Sequence, residues 1–258
     1  MTISREQRFL SRIQSALKVS LGSKRRFNAI FPGQSDEEVH HLVQHITHRK
    51  KDEQQQLLDN LIEAARPINL KVLPVADMAT ATKKIKGLII NKEPEWDRQK
   101  HVAVWCHPLI DQLNLSQALV DEDISFYPTC LPNNDAQTNA RQQIRDEIIT
   151  SFIGITSADY CVAESATLVM KTLPGQARAT SLVPSIHIAV IRMNQVIANL
   201  KELYTLLTQE PDFDRQGLTN CLTFISGPSK TADIEAVMVH GAHGPREVYL
   251  YVITSDQV

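Results

Sequence analysis

The chain has 258 residues, of which 43% are hydrophobic and 22% are charged, and its formal net charge is −2. This size and composition are typical of one large globular domain with at most a small extension, and the charge balance gives no general attraction to nucleic acid or anionic lipid. No apolar run approaches the ~18 to 20 residues that cross a bilayer, so we expect a cytoplasmic protein that is not integral to the membrane.

Residues 1–66 are predicted to be mostly helical. Ser35 precedes Glu38 by three positions, a capping-box pattern that begins a helix. Apolar residues then recur at helical spacing up to Pro67, where the period changes. We therefore predict a helical N-terminal extension over 1–66 and an α/β domain over 67–258.

From Pro67 onward, short β-rich runs alternate with helical runs. The predicted strands are 68–75, 101–106, 124–127, 167–172, 181–192, 222–226 and 248–253. The predicted helices are 77–86, 109–120, 136–152 and 196–209. This alternation favours an α/β fold with a largely parallel sheet, in which ligands bind beyond the carboxyl ends of the strands.

The four cysteines are scattered, and none forms a Cys-x-x-Cys pair. A disulfide framework is not expected in a cytosolic chain of this size. An iron–sulfur cluster would need all four thiolates together. We therefore interpret Cys106, Cys130, Cys161 and Cys221 as isolated structural thiols.

A first polar segment runs from Gly154 to Thr167 and contains two carboxylates, Asp159 and Glu164. On one helix these two would diverge by about 140°, so they share a face only if the chain turns between them. A small-molecule pocket needs a few convergent polar groups, whereas Asp159 equally suits the cap of a short helix. Both interpretations remain open.

The second segment places Arg178 in a loop and His187 at the start of an apolar strand. A loop arginine can bind a carboxylate through two parallel hydrogen bonds, and a histidine at a strand mouth can act as acid or base near neutral pH. Residue type alone favours a surface arginine and a hydrogen-bonded buried histidine.

The third segment, 226–246, is the densest in polar residues. Backbone amides at its Gly-Pro-Ser-Lys-Thr turn can hold an anion, although the P-loop pattern is absent. A metal site formed by Asp233, Glu235, His240 and His243 is conceivable, and a polar loop is the favoured alternative. The candidate ligand-binding residues here are Ser226, Gly227, Ser229, Lys230, Thr231, Asp233 and His243.

Together the three segments resemble the lactate-utilisation protein C family, which is defined by its LUD domain. The resemblance rests on Gly154-Ile-Thr-x-Ala-Asp159 with Ala163-Glu164-Ser165-x-Thr167, on Arg178-x-x-Ser181-Leu-x-Pro184-x-x-His187-Ile-Ala-Val, and on Ser226-Gly-Pro-Ser229-x-Thr231-Ala-Asp233-Ile-Glu235 with Gly241-x-His243-Gly244-Pro245. One departure is Ala166, where the pattern leads us to expect glycine.

The resemblance implies a Rossmann-like α/β sandwich similar to the group of sugar-phosphate isomerases and CoA-transferases. It implies a component of an L-lactate utilisation system, which oxidises lactate to pyruvate with lactate-utilisation A-like and B-like iron–sulfur proteins as partners. The clusters are expected in those partners, with no cofactor in this chain. The family brings no agreed mechanism, so whether this subunit is itself an enzyme stays open.

Three functional hypotheses follow. In the leading one, a subunit of the lactate system binds a small carboxylate, a nucleotide or a partner; Arg178 holds the carboxylate, His187 takes the hydroxyl proton, and Asp159 also contacts the ligand. The second is a stand-alone enzyme on a phosphorylated or CoA-linked metabolite, with Glu164 as nucleophile or base. The third is a non-catalytic scaffold or regulator. Lactate oxidation by the chain alone is not expected, since electron removal needs an acceptor.

Overall fold

The structure is a computed structural model, and it describes residues 12, 15, 35–95, 99–131, 137–209, 221–232, 238–241 and 243–255. The chain divides into two compact units, residues 1–41 and 42–258. In the first unit the predicted capping box is present, because Glu38 N donates to Ser35 Oγ at 3.2 Å and Ser35 N donates to Glu38 Oε2 at 2.9 Å. It begins helix α1 (Asp36–Thr47), whose end already belongs to the second unit.

Helix α2 (Lys51–Ile68) lies entirely in the second unit and ends at Asn69, which adopts the left-handed conformation. Its apolar stripe is buried in the core, as the helical spacing predicts: Leu57, Leu58, Leu61 and Ala65. The predicted domain boundary after residue 66 falls within this helix. The second unit therefore includes residues 42–66 together with the α/β region.

Six strands form the central sheet, in the order β1-β12-β7-β4-β2-β3, and every neighbouring pair is parallel. These strands are β1 (Leu70–Val75), β2 (Lys100–Val104), β3 (Ile124–Pro128), β4 (Ile153–Ser157), β7 (Ile186–Arg192) and β12 (Glu247–Ile253). The chain moves from β2 outward to β3, then returns past β2 to β4 and continues to β7. The order of the strands therefore reverses between β2 and β4. The α/β class and the largely parallel sheet are confirmed.

The two faces of this sheet are covered differently, and the alternation along β12 shows why. Val248, Leu250 and Val252 point to one core cluster, while Tyr249 and Tyr251 point to another. The second cluster is closed by three helices: α3 (Met78–Asn91), α4 (Pro108–Asp111) and α5 (Leu115–Ala118). The first cluster is closed by α2 and by a smaller sheet, which makes the architecture a sandwich.

The smaller sheet has the order β8-β5-β6-β9. Its strands are β5 (Tyr160–Val162), β6 (Thr167–Lys171), β8 (Val196–Ile197), which follows a 3₁₀ turn (Met193–Gln195), and β9 (Leu222–Ile225). Helix α8 (Leu200–Thr208) packs on this sheet through Leu203 and Leu207. A short antiparallel pair, β10 (Lys230–Ala232) and β11 (Met238–His240), completes the described strands.

Three predicted elements differ from the structure. The helix predicted over 196–209 begins only at Leu200, because Val196 and Ile197 form β8. The helix predicted over 109–120 is divided into α4 and α5, because Asn114 adopts a left-handed conformation with φ of 47°. The strand predicted over 181–192 begins only at Ile186, and α7 (Ala179–Leu182) precedes it. The long helix predicted before the first polar segment is present as α6 (Gln137–Thr150). Among the described residues, none of the helices has both the length and the apolar character to cross a membrane.

Candidate functional site

Glu164 and the start of the third segment meet at the turn between β5 and β6. Glu164 is exposed there, and its backbone N–H donates to Ala198 O at 3.1 Å. Beside it, Thr167 Oγ1 lies 2.8 Å from both Ser165 Oγ and Ser226 Oγ. The structure thus brings the first and third segments together in a chain of three hydroxyls. Catalysis by Glu164 stays a prediction.

Ala166, within the same turn, has φ of 47° and is fully buried. Left-handed backbone costs a residue with a Cβ about 1 kcal/mol, so the turn has the geometry that suits glycine. The expectation of glycine at this position therefore has a physical basis in the structure. Alanine retains the turn, and its methyl group is buried in the core.

Asp159 lies at the opposite end of the β5–β6 hairpin from Glu164. Its carboxylate accepts the Lys171 backbone N–H at 2.7 Å and lies 3.7 Å from the Lys171 ammonium group. Asp159 N donates to Val169 O, so both the backbone and the side chain close the hairpin. This carboxylate thus already has partners within the protein, and a direct contact with ligand stays a prediction.

His187 is fully buried on β7, where its Nε2 is hydrogen-bonded to Thr156 Oγ1 at 2.8 Å. Its Nδ1 has no hydrogen-bond partner among the described residues, and the same holds for the buried Thr180 hydroxyl. Burial lowers the pKa of His187 to about 3, so the ring is neutral at physiological pH. A neutral, enclosed imidazole of such low basicity is poorly suited to take a substrate proton at neutral pH. Its predicted catalytic role is untested, and the geometry favours a structural one.

The remaining residues of the third segment lie near the amino ends of the parallel strands. Gly227 has φ of 81°, and a Cβ at this position would lie 2.6 Å from Ile68 O, so glycine is required for close contact with the end of α2. Ser229 N donates to Pro245 O at 2.8 Å, and His243 N lies 3.3 Å from Ser229 Oγ. Lys230 is exposed, as is His243. The side chain of Thr231 and the whole of Asp233 and Glu235, the two carboxylates of the metal alternative, lie outside the described residues.

Arg178 lies near the other end of the small sheet. Its Nη1 donates to Cys221 Sγ at 3.0 Å, directly before β9, whereas Ser226 directly follows β9. At ~3.3 Å per residue, Cys221 and Ser226 are about 17 Å apart along this strand. The predicted residues therefore form two groups. Asp159 and Arg178 lie toward the carboxyl edge of the parallel sheet, and Glu164 with Ser226 lies toward the amino edge.

The carboxyl edge at the reversal between β2 and β4 is where an open α/β sheet binds its ligands. His107 lies there three residues after the end of β2, and its Nδ1 accepts the Leu109 N–H at 3.1 Å. Desolvation lowers the pKa of His107, although nearby Asp159 and Asp111 act in the opposite direction. A cavity of about 420 Å³ opens at this edge, with Trp105, Cys106, Asp111, Asn114, Phe126 and Cys130 in its lining.

A second cavity, of about 260 Å³, adjoins this edge, and its described lining residues include three arginines and no acidic residue. Arg141 and Arg145 lie one turn apart on α6, and Arg178 faces them from the loop between β6 and α7. Within the described part of the chain, no ion pair links any of the three to a carboxylate. The walls are apolar: Leu131, Ile144, Ile148, Leu173 and Pro174. Arginines in the lining of a cavity with apolar walls are the residue types that can bind a small anion.

Two cysteines correct the expectation of isolated thiols. Cys106 and Cys130 are joined by a disulfide bond, with their Cα atoms 5.5 Å apart. Each lies two residues beyond the end of its strand, Cys106 after β2 and Cys130 after β3, and the pairing of those strands brings the two positions together across 24 residues. Cys161 and Cys221 are not joined by a disulfide bond, in agreement with the interpretation of these two as isolated thiols.

The sequence did not single out His107, Arg141, Arg145 or the cysteine pair. A usable signal existed for His107, because it directly follows a predicted buried strand, where ligands of α/β sheets are bound. Arg141 and Arg145 are four residues apart on a predicted helix, which is equally typical of a solvated helix face. Only the packing of α6 beside the Arg178 loop shows that they face a cavity.

The described fold is thus an α/β sandwich, and a cavity with three arginines in its lining lies at the carboxyl edge of the parallel sheet. The LUD domain family model matches residues 58–253, and the chain belongs to this family. Lactate utilization protein C from Halalkalibacterium halodurans is 28% identical over 208 residues, which cover 81% of this chain and 83% of the relative. The protein of the same name from Exiguobacterium sp. is 39% identical over 140 residues, or 53% of this chain and 59% of the relative.

A solved structure shares the fold. The crystal structure of a DUF162 family protein from Deinococcus radiodurans has a TM-score of 0.50 and 17% sequence identity, and the match covers 78% of this chain and 98% of that one. At this identity the likeness concerns the fold alone.

Proposed function

We propose that this chain is the subunit of an L-lactate utilisation system that binds the small carboxylate substrate or product, in the cytoplasm and beside iron–sulfur partner proteins. Family membership and the names of its relatives support the role in lactate utilisation. The A-like and B-like iron–sulfur partners are the ones that the family resemblance implies, and the redox clusters reside in them.

The observation that carries the binding role is the arginine-lined cavity. A guanidinium group offers two parallel N–H donors to a carboxylate, and each charge-assisted bond of this kind contributes about 1.5–3 kcal/mol. Arg178, which the sequence already indicated, lines this cavity with two further arginines, and none of the described lining residues is a competing carboxylate. The apolar wall suits the short carbon chain of a hydroxy or keto acid.

Reconstitution tests this role. The purified chain with L-lactate and an electron-accepting dye is expected to show no turnover, because its side chains provide no electron acceptor. Addition of the iron–sulfur partners is expected to restore turnover. Arg178→Ala in the reconstituted system should raise the lactate concentration for half-maximal rate by about 10- to 100-fold, the loss of one charge-assisted hydrogen bond.

Two control variants separate the loss of a cavity arginine from the loss of any arginine, and the loss of charge from the loss of guanidinium geometry. Arg66→Ala removes an exposed arginine at the end of α2, outside the cavity, and should leave the rate unchanged. Arg178→Lys retains the charge but loses the two-pronged geometry, so it should fall between the wild type and Arg178→Ala. Robust turnover by the chain alone would contradict the subunit role. Turnover that survives both Arg178 substitutions would favour a scaffold.

A further inference from the structure

The disulfide between Cys106 and Cys130 lies between the two cavities of the carboxyl edge. Both cysteines line the larger cavity. Their neighbours, Thr129 and Gly175, line the arginine cavity. Cys130 is exposed and Cys106 is partly exposed, so a solvent-borne thiol or disulfide can reach the pair.

Hydrogen bonds connect this pair to the loop that carries Arg178. Gly175 O accepts the Cys106 N–H at 3.2 Å and the Thr129 hydroxyl at 2.5 Å. Trp105 Nε1 donates to Ala177 O at 2.9 Å. The contact is close, because a Cβ added at Gly175 would lie 3.1 Å from Cys106 Cβ. The position of the Gly175–Arg178 segment therefore depends on the residues that flank the two sulfur atoms.

The other two thiols differ from this pair in ways that matter for reactivity. Cys161 is fully buried, and burial raises its pKa to about 12, so it has essentially no thiolate at neutral pH. Cys221 Sγ accepts a hydrogen bond from Arg178 and has no second thiol bonded to it. Only Cys106 and Cys130 can form a bridge within the described part of the chain.

We propose that Cys106 and Cys130 form a redox-active dithiol that reacts with low-molecular-weight disulfides, and that the bridged form fixes the Arg178 loop against the arginine cavity. The thiolate of exposed Cys130 attacks one sulfur of the small disulfide RSSR and expels RS⁻. The thiolate of Cys106 then attacks Cys130 Sγ in the mixed disulfide and expels the second RS⁻. The chain loses two electrons and two protons, and RSSR becomes two RSH. The effect on carboxylate binding rests on the proposed function; the redox reaction does not.

The first test measures the reaction itself. The full chain is equilibrated in glutathione buffers of graded potential, the free thiols are alkylated, and the products are identified by mass spectrometry. Cys106 and Cys130 should lose reactivity together as one two-electron couple, while Cys161 stays unmodified under native conditions throughout. Absence of a Cys106–Cys130 bridge at oxidising potentials overturns the proposal.

The second test measures the loop without any ligand. Backbone amides of residues 172–178 should exchange with deuterium about tenfold more slowly in the bridged form, the factor that corresponds to ordering one loop residue. Trp105 fluorescence, read in a Trp96→Phe background, should shift in parallel. Cys106→Ser/Cys130→Ser should exchange like the reduced wild type in every buffer, whereas Cys161→Ala should respond like the wild type. Equal exchange in both redox states overturns the coupling between the bridge and the loop.

A third measurement separates this inference from the proposed function. L-lactate binding is titrated into the oxidised and the reduced chain, with about tenfold tighter binding expected for the oxidised form. Lack of lactate binding in either state, with a bridge that forms and slows exchange, contradicts the proposed function and leaves the redox switch supported. Equal lactate affinity in both states contradicts the control of binding by the bridge.

Discussion

The buried imidazole of His187 makes the stability of this protein depend on pH in a way that can be calculated. The pKa of His187 is about 3 in the folded chain and about 6.5 when the chain unfolds. The folded state therefore keeps the ring neutral, while the unfolded state takes up a proton as the pH falls below 6.5. Stability from this group is fully present above pH 6.5 and is lost progressively toward pH 3. Between pH 7 and pH 5 the loss is about 2 kcal/mol.

The assay is urea unfolding of the wild type and of His187→Gln at several pH values between 5 and 8. The glutamine amide can still bond to Thr156 but does not titrate. The quantity compared is the pH dependence of the unfolding free energy in the two proteins, so the absolute stability of the variant does not affect the result. The wild type should lose about 2 kcal/mol more than the variant between pH 7 and pH 5. NMR of the histidine rings should also show one imidazole that does not titrate in this range. Parallel stability curves, with all rings titrating near pH 6.5, would refute the assignment of His187 as a neutral structural residue.

Three further predictions concern the same fold. Gly154→Ala should disrupt folding, because its Cβ would lie 1.8 Å from Thr180 O. At Gly87 on α3 an added Cβ would meet nothing within 4 Å, so Gly87→Ala should raise the unfolding free energy, measured by chemical denaturation, by about 1 kcal/mol. Glu202→Ala should lower the unfolding free energy by about 3–5 kcal/mol, because it leaves the buried Arg49 guanidinium without its carboxylate partner. Glu93→Ala removes an exposed carboxylate from its pair with Lys100 and should lower it by less than about 1 kcal/mol; equal losses would contradict the buried ion pair. Burial alone would raise the pKa of Glu247, but hydrogen bonds from Lys71, Lys92 and Tyr249 lower it to about 2. The contribution of Glu247 to stability is therefore present above pH 4.5 and lost as the pH falls toward 2. Glu247→Gln should reduce the loss of unfolding free energy between pH 4.5 and pH 2, and an unchanged loss would contradict the network.

The parallel sheet was predictable where the strands are apolar, and β12 and β2 show this. Residues 248–253 combine β-branched and aromatic residues, and residues 102–104 are Val-Ala-Val. Neither run is interrupted by a charged residue, which is typical of strands buried on both faces. β4 was missed for the opposite reason. Thr156 and Ser157 resemble ligand-binding residues in the sequence, but their hydroxyls are bonded within the sheet, to His187 Nε2 and to Val190 O. A polar residue indicates exposure only when the core offers it no hydrogen-bond partner. Such partners on another strand cannot be identified from the local sequence.

In the candidate site, too, some residues could be predicted from the local sequence and others depend on the packing of distant elements. Arg178 could be predicted, because a loop arginine beside a strand of an α/β fold is a common anion ligand. Its companions on α6 could not, since their spacing is equally typical of a solvated helix. The cysteine pair depends on the adjacency of β2 and β3, where Val104 pairs with Pro128, and no spacing rule joins residues 106 and 130. The separation of Glu164 from Arg178 likewise follows from the length of β9, which the sequence predicted as a strand but could not orient.

Direct binding of a small carboxylate to the arginine cavity tests the central claim most closely. We would titrate L-lactate and pyruvate into the oxidised, purified chain by isothermal titration calorimetry, and follow the arginine side-chain N–H signals by NMR. We expect saturable binding of at least one of the two acids, with changes in the chemical shifts of the side-chain N–H signals of Arg141, Arg145 and Arg178. Arg145→Ala and Arg178→Ala should each weaken binding by about 10- to 100-fold, and Arg66→Ala should leave it unchanged. Binding that is unchanged by both cavity substitutions, or the absence of saturable binding in the wild-type chain, would contradict carboxylate binding in the arginine cavity.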